Sequence, residues 1–174
     1  MALGRFDGLN NEVMIETPYA YHYIGRPDRT AEIVRAVMRY HFIDSAGGLP
    51  GNDDSGALSA WYVWNTIGLF PVPGRGIFLI GSPTIRHGEI DLGSRTMTVE
   101  VESKDAVDSV FPSGIEGDED SRQIIYPTSV ELNGIHLDRS YLTYREVLEG
   151  GKLAIRLGGD PKAFRPKRPP SSGC

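Results

Sequence analysis

The sequence predicts an α plus β protein, because the spacing of its apolar residues changes part-way along the chain. Up to about Gly74 the apolar residues recur at helical spacing, and beyond it they come in short alternating runs typical of strands. Asn133-Gly134, between two such runs, is a strong signal for a β-hairpin turn. We therefore expect a helical part followed by a β part.

The helical part contains three candidate helices. The first, Val13 to Ile24, carries Pro18, which predicts a late start or a kink. The second begins with Asp28 at its expected N-cap and carries one apolar stripe. The third runs from about Ser55 to Ile67, and its apolar residues go nearly all the way round. Because such a helix has no polar face, we expect it to be buried on every side.

The β part and the tail follow from the same patterns. An acidic stretch, 114–122, is typical of a solvated loop. The Pro-, Lys- and Arg-rich end is typical of a disordered tail. The predicted division is 1–74, 75–160 and a disordered 161–174. The strand candidates are IFLIGSP, TMTVEVES, QIIYPTSVELNG, SYLTYREVL and GKLAIRLG.

Composition excludes several classes of function. A net charge of −5 argues against nucleic acid or an anionic membrane as a partner, and no apolar run is long enough to span a bilayer. Four histidines and one cysteine, Cys174, make a zinc site a poor expectation. The first residues lack a basic leader with an apolar core, and we expect this chain to be a piece of something longer.

The stretch GNDDSG sets Asp53 and Asp54 side by side at the start of the third helix. One interpretation is a helix cap, in which a carboxylate accepts from the free N–H groups of the first turn. One Asp suffices for that. The other interpretation is catalysis, because carboxylates beside a buried helix suit general-base work on water. Asp pairs serve glycoside hydrolysis, metal binding and phosphoryl transfer alike, so the pair alone does not name a reaction.

A second polar stretch lies near the N-terminus. Asn10, Asn11 and Glu12 offer only oxygen and amide groups, which a hard cation such as Ca²⁺ prefers, although a polar turn capping the next helix explains them more simply. Nearby aromatic residues could line a sugar-binding cleft, although packing in the core is the commoner role for the histidine and the tryptophans among them. These aromatic residues are Tyr19, Tyr21, His22 and Tyr23, with Trp61 and Trp64 further along.

Several stretches together resemble the C-terminal part of family 92 glycoside hydrolases. That family comprises calcium-dependent exo-acting α-mannosidases, loosely called α-1,2-mannosidases. The block GNDDSGALSAWYVW matches a pattern that is highly specific to the family, and the resemblance covers nearly the whole chain. In order, the matching stretches are GRFDGLNNE, TPYAYHYIGRPDRTAEIVR, GGLPGNDDSGALSAWYVWNTIGLFPVPG, FLIGSP and VELNGIHLDRSYLTYREVLEGGKLAIRLG.

The resemblance implies a fold and a set of site residues. The helices would close an (α/α)6 toroid, followed by a small antiparallel β segment, and an upstream part of the catalytic domain would be missing. Asp54 would be the general base of an inverting reaction on mannose-containing glycans, with Asp53 assisting it. Glu12, with Asn11, matches a motif associated with the calcium ion of the family. The residues expected to contact substrate are Asn52, His22, Tyr19 and Trp61.

The sequence departs from the family pattern in two places. The general acid of the family is an upstream Glu whose motif is absent here, and NNEVMIE stands where relatives commonly have NNEPD. We therefore expect little or no turnover by the isolated chain. Alternatives are a carbohydrate-binding or remnant module of the same fold, and a toroid glycosidase of another linkage specificity. The resemblance favours a secreted or periplasmic location, and a cytosolic one stays open.

Overall fold

The structure, a computed structural model, describes residues 9–103 and 124–171. The predicted acidic loop at 114–122 lies outside this part of the chain. The described helices are α1 (Pro27–His41), α2 (Ala57–Ile67) and α3 (Tyr144–Glu149). The described strands are β1 (Leu69–Val72), β2 (Ile77–Ile80), β3 (His87–Asp91), β4 (Thr96–Glu102), β5 (Tyr126–Leu132), β6 (Ile135–His136), β7 (Tyr141–Thr143) and β8 (Gly151–Gly158).

The strands form two sheets, which confirms the α plus β class. Strands β1, β2 and β7 make an antiparallel three-stranded sheet, and the five-stranded sheet has the order β3-β4-β8-β5-β6. Asn133 and Gly134 both have positive φ and join β5 to β6, as the hairpin signal predicts. The expectation of an entirely antiparallel β segment is wrong, since β4 and β8 run parallel. The chain passes through β7 and α3 before β8 enters the sheet, and parallel strands need such a crossover.

The three-stranded sheet is the middle layer of the molecule. All four residues of β2 are buried, and alternate residues of a strand point to opposite faces. Phe78 and Ile80 belong to the core shared with the five-stranded sheet, whereas Ile77 and Leu79 belong to the core under α1 and α2. The predicted boundary after residue 74 falls in the turn between β1 and β2, inside this layer.

The helical part differs from the prediction at its start. The expected helix over 13–24 is two short 3-10 helices, Glu12–Met14 and Thr17–Ile24, with Pro18 near the beginning of the second. Asp28 lies inside α1 and is not its N-cap. Its carboxylate accepts hydrogen bonds from Arg26 instead, with 2.9 Å between Arg26 Nε and Asp28 Oδ1. The short proline-containing segment therefore uses a tighter helical turn than the pattern suggested.

Helix α2 is not buried on every side, so that expectation is wrong for this chain. Leu58, Trp61 and Asn65 are buried, but Ala60 is exposed and Val63 is 55% exposed. Among the described residues nothing covers this apolar side of the helix. Leu58 and Trp61 pack in the core under α1, whereas Trp64 and Ile67 pack against the core of the sheets.

Two further expectations are corrected near the C-terminus. The strand expected over SYLTYREVL ends at Thr143, where a capping box with Glu146 starts α3. Residues 161–171, expected to be disordered, lie against the molecule. The backbone N–H of Lys167 donates to the Asp138 carbonyl at 2.6 Å, and Phe164 packs on the core of the sheets. These contacts order residues 161–171, although their composition is typical of a disordered tail.

Candidate functional site

The two adjacent aspartates lie just before α2 and have different surroundings. Oδ1 of Asp53 accepts from the backbone N–H of Ser59 at 2.9 Å, and Oδ2 accepts from the Ser59 hydroxyl. These hydrogen bonds lower the pKa of Asp53, so it is ionised at neutral pH. Asp54 is exposed, and no group in the described part of the chain hydrogen-bonds to its carboxylate. Asp53 thus satisfies a free N–H of the helix start, as a cap does, and leaves Asp54 free.

A tight turn separates the two aspartates from the helix. Ser55 has φ 55° and Gly56 has φ 76°, both in the left-handed region that residues other than glycine seldom adopt. The N–H of Gly56 donates to the Asp53 carbonyl at 2.9 Å. The N–H of Ala57 donates to the Asp54 carbonyl. The backbone on both sides of the Asp54 side chain is therefore held in place.

An open pocket of about 770 Å³ lies beside Asp53, within the size range of ligand sites in proteins. Of the residues predicted for the site, Asn52 and Asp53 line this pocket, and Asp54 does not. The remaining lining comes from α2 and from the loop that follows α1. These further lining residues are Phe42, Ile43, Asp44, Ser45, Ala46, Gly47, Gly48, Leu49, Gly51, Ser59, Tyr62 and Val63.

Tyr62 and Ser59 are pocket residues that the sequence analysis missed. Phe42 stacks on the buried Trp61 and also contacts the ring of Tyr62, whose centroid is 5.0 Å away. Ser59, Tyr62 and Val63 recur at the three- and four-residue spacing of one helix face. Their spacing within the block GNDDSGALSAWYVW is the sequence signal that could have predicted that Ser59, Tyr62 and Val63 share one face of the helix.

The two polar stretches of the sequence meet through their backbones. A β-carbon on Gly51 would stand 2.8 Å from the Cα of Asn10, so the two segments are in direct contact there. Oε1 of Glu12 is buried and has no hydrogen-bond partner, whereas Oδ1 of Asn11 accepts from the backbone N–H of Val13 at 3.4 Å. An unsatisfied carboxylate oxygen suits a hard cation. Within the described residues, however, no three His, Cys, Asp or Glu side chains are grouped to hold a metal ion.

The three aromatic residues predicted to contact sugar are buried in the core. The Tyr19 hydroxyl donates to Asn65 Oδ1 at 2.6 Å, and Trp61 Nε1 donates to the Ile15 carbonyl at 3.0 Å. His22 Nδ1 lies 3.1 Å from the Ser140 hydroxyl, and burial lowers the pKa of His22 to about 3. None of the three lines the pocket. Their contact with substrate stays a prediction, which their burial does not support.

The site is therefore a carboxylate pair near an open pocket. Comparisons with known proteins identify the family of the chain. A sequence profile of the glycosyl hydrolase family 92 catalytic domain matches residues 5–159. The chain belongs to this family. Family 92 is a family of glycosidases, which are hydrolases.

Solved family 92 structures share the fold of this chain. The α-mannosidase BT3965 from Bacteroides thetaiotaomicron matches with a TM-score of 0.77 and 27% identity, over 93% of this chain and 20% of its own. The inverting mannosidase BT2199 from Bacteroides thetaiotaomicron VPI-5482 matches with a TM-score of 0.68 and 27% identity, over 88% of this chain and 20% of its own.

A curated relative is also similar to nearly the whole of this chain. An uncharacterized secreted glycosidase from Arthroderma benhamiae is 28% identical, over 95% of this chain and 20% of its own length. This family 92 chain therefore spans about a fifth of the length of the relatives it matches. No helix among the described residues is both long and apolar enough to cross a membrane.

Proposed function

We propose that this chain is the C-terminal part of the catalytic domain of an inverting exo-α-mannosidase. The proposed substrates are α-1,2-linked or related mannosides in mannose-containing glycans. One observation carries the proposal beyond the family match: an exposed Asp54 follows a fixed Asp53, at the start of α2 and near an open pocket. In this pair the Asp54 carboxylate is free for proton transfer, whereas the Asp53 carboxylate accepts hydrogen bonds from Ser59.

The proposed reaction uses Asp54 as the general base. A water oxygen attacks the anomeric carbon as one of its protons passes to Asp54, and the glycosidic bond breaks. The leaving oxygen takes its proton from a general acid outside this chain. In inverting enzymes the two carboxyl groups stand roughly 6.5–9.5 Å apart, which leaves room for the water. Asp53 would assist by holding the geometry of the pair, because both of its oxygens accept hydrogen bonds from Ser59.

We also propose that the helices close an (α/α)6 toroid whose other helices lie in an upstream part of the same catalytic domain. The exposed apolar side chains around the pocket support this. Ile43 is 59% exposed, Leu49 is 39% exposed, and Val63 is on the uncovered side of α2. Exposed apolar side chains grouped around one pocket are typical of a face that meets another part of a protein.

Glu12 and Asn11 fit the proposed calcium ion in part. The buried Oε1 of Glu12 has no partner, and carboxylate and amide oxygens are ligands that Ca²⁺ prefers. Bound there, the ion would supply positive charge for holding the hydroxyl groups of the sugar. The described residues hold no group of three His, Cys, Asp or Glu side chains, so further carboxylate ligands would have to come from outside them. The secreted relative supports a secreted location for this protein.

The test is mannose release from an α-1,2-mannobioside by the complete polypeptide that carries this chain. Activity should require Ca²⁺, disappear with EDTA, and fall by about 10²–10⁴-fold in Asp54→Asn. Asp160→Asn makes the same chemical change on a remote exposed turn and should keep full activity. The 174-residue chain alone should release no mannose. Full activity of Asp54→Asn would move the chemistry elsewhere.

The alternative function is a carbohydrate-binding module without turnover. The open pocket with Tyr62 and Asp53 on its lining is the observation that supports this alternative. The complete polypeptide would then bind mannosides at this pocket without releasing mannose from any of them. Chemical-shift changes of pocket residues on addition of mannose, in a protein without turnover, would support it.

A further inference from the structure

We propose that Ser59 is a positioning residue of this site, which holds Asp53 through two hydrogen bonds and thereby fixes the turn that presents Asp54. This inference rests on the proposed function. Ser59 is the only residue in the described part of the chain whose backbone and side chain both donate to one carboxylate of the pair.

The hydrogen bonds close a ring in the chain. The backbone leaves Asp53, passes through the left-handed residues Ser55 and Gly56, and enters α2, whose first turn carries Ser59. The Ser59 N–H and hydroxyl then reach back to the two oxygens of the Asp53 side chain. Asp54 lies within this ring, so the closure adds to the two backbone hydrogen bonds that hold its position.

The closure stabilises a local backbone conformation that is unfavourable on its own. Ser55 has φ 55°, a left-handed angle that residues with a β-carbon disfavour and that persists only where the surroundings hold it. The Ser59 hydroxyl supplies one of the bonds that hold it. A charge-assisted hydrogen bond of this type is stronger than one between neutral groups. Without the hydroxyl, Asp53 keeps a single bond to Ser59 and can rotate away.

Ser59 has no competing role in the core. The residue is exposed and lines the pocket, so its replacement by Ala opens no internal cavity. The pKa of Asp53 is lowered mainly by the hydrogen bond from the Ser59 side chain, which makes the bond visible in a titration. The effect of Ser59 on Asp53 can therefore be separated from an effect on folding.

The first arm of the test is a ¹³C-carboxyl NMR titration of Asp53 in the 174-residue chain. In Ser59→Ala the pKa of Asp53 should rise toward the ordinary value of an aspartate, and Ser59→Thr, which keeps a hydroxyl, should restore the low value. Ser94→Ala, on an exposed turn between β3 and β4, is the matched control and should leave the titration unchanged. An unchanged Asp53 titration in Ser59→Ala would overturn the inference.

The second arm measures mannose release by the complete polypeptide. Ser59→Ala should lower kcat by about 10²-fold with KM little changed, because a small misplacement of a catalytic group has an effect of that size. Ser59→Thr should recover most of the loss. An active enzyme with full kcat in Ser59→Ala overturns the inference alone. If the complete polypeptide without substitutions releases no mannose, the proposed function is overturned, and with it the role of Ser59 in catalysis. The Asp53 titration still decides whether Ser59 anchors Asp53.

Discussion

Gly51 lies directly against the backbone of Asn10, so closely that a β-carbon on Gly51 would meet the Asn10 carbonyl oxygen and stand 2.8 Å from the Asn10 Cα. The contact joins the segment before the aspartate pair to the segment before Glu12. Gly51 is not required here by a positive φ, since its backbone is not left-handed. The close approach of two backbones requires it.

Gly51→Ala should destabilise the chain by about 1–3 kcal/mol, because the new methyl group meets backbone that cannot move aside without shifting the whole segment. The measurement is the free energy of unfolding by urea. Gly47→Ala is the matched control in the same pocket loop, since a β-carbon there meets nothing within 4 Å. Equal stability of the two variants would contradict the close contact.

Glu146 should lower the free energy of unfolding of this chain as the solution becomes acidic. The hydrogen bond from Arg139 is the main cause that lowers the pKa of Glu146 to about 2 from its ordinary 4.5. Because the folded pKa is depressed, the contribution is complete above pH 4.5 and is lost as the pH falls from 4.5 toward 2. At pH 7, Glu146→Gln should lose about 1 kcal/mol, a modest value because the ion pair is partly exposed.

The acid titration of Glu146→Gln supplies the check. Its stability should fall less steeply between pH 4.5 and 2 than that of the parent chain. Glu149→Gln, at the exposed end of the same helix, is the control and should follow the parent. Parallel curves for all three proteins would contradict the role of the Arg139–Glu146 pair.

Local signals predicted the elements that depend on local chemistry. The spacing of apolar residues gave α1 and α2, and Asn133-Gly134 gave the β5–β6 hairpin, because each is decided by a few neighbouring residues. Helix α3 was missed although Thr143 and Glu146 carry its capping box in the sequence, since alternating apolar residues suggested a strand.

Features that depend on distant contacts were not predictable. The parallel pairing of β4 with β8 depends on the whole crossover between them, and the exposed side of α2 depends on what other chain segments cover. Within the site, the sequence set Asp53 and Asp54 together, but the division between an anchored and a free carboxylate depends on Ser59 reaching back. The backbone contact of Gly51 with Asn10 leaves no local signal beyond the glycine itself.

His22 should destabilise the chain as the pH falls below neutrality. Burial lowers its pKa from 6.5 to about 3, so between these values the unfolded chain binds a proton that the folded chain does not. Its contribution is complete above pH 6.5 and is lost as the pH falls toward 3. At pH 5 the loss should reach about 2 kcal/mol relative to pH 7.5, measured by urea unfolding.

His22→Gln keeps an amide that can hydrogen-bond to Ser140 but does not titrate. It should lower stability at pH 7.5 and remove most of the further loss at pH 5. His136→Gln, on the exposed β6 strand, is the control and should show the same pH dependence as the parent. A variant at His22 that loses as much stability at pH 5 as the parent would contradict a neutral buried imidazole.

Val63 tests whether the uncovered side of α2 meets an upstream part of the catalytic domain. In the 174-residue chain Val63→Lys should change the free energy of unfolding by less than about 0.5 kcal/mol, because a side chain 55% exposed already faces solvent. In the complete polypeptide the same change should lower the thermal midpoint and the soluble yield, since it buries a charge without a partner. Ile135→Lys, at a position 70% exposed on β6, should be harmless in both. If Val63→Lys is as harmless as Ile135→Lys in the complete polypeptide, this side of α2 faces solvent there too, and the helix does not close a toroid through it.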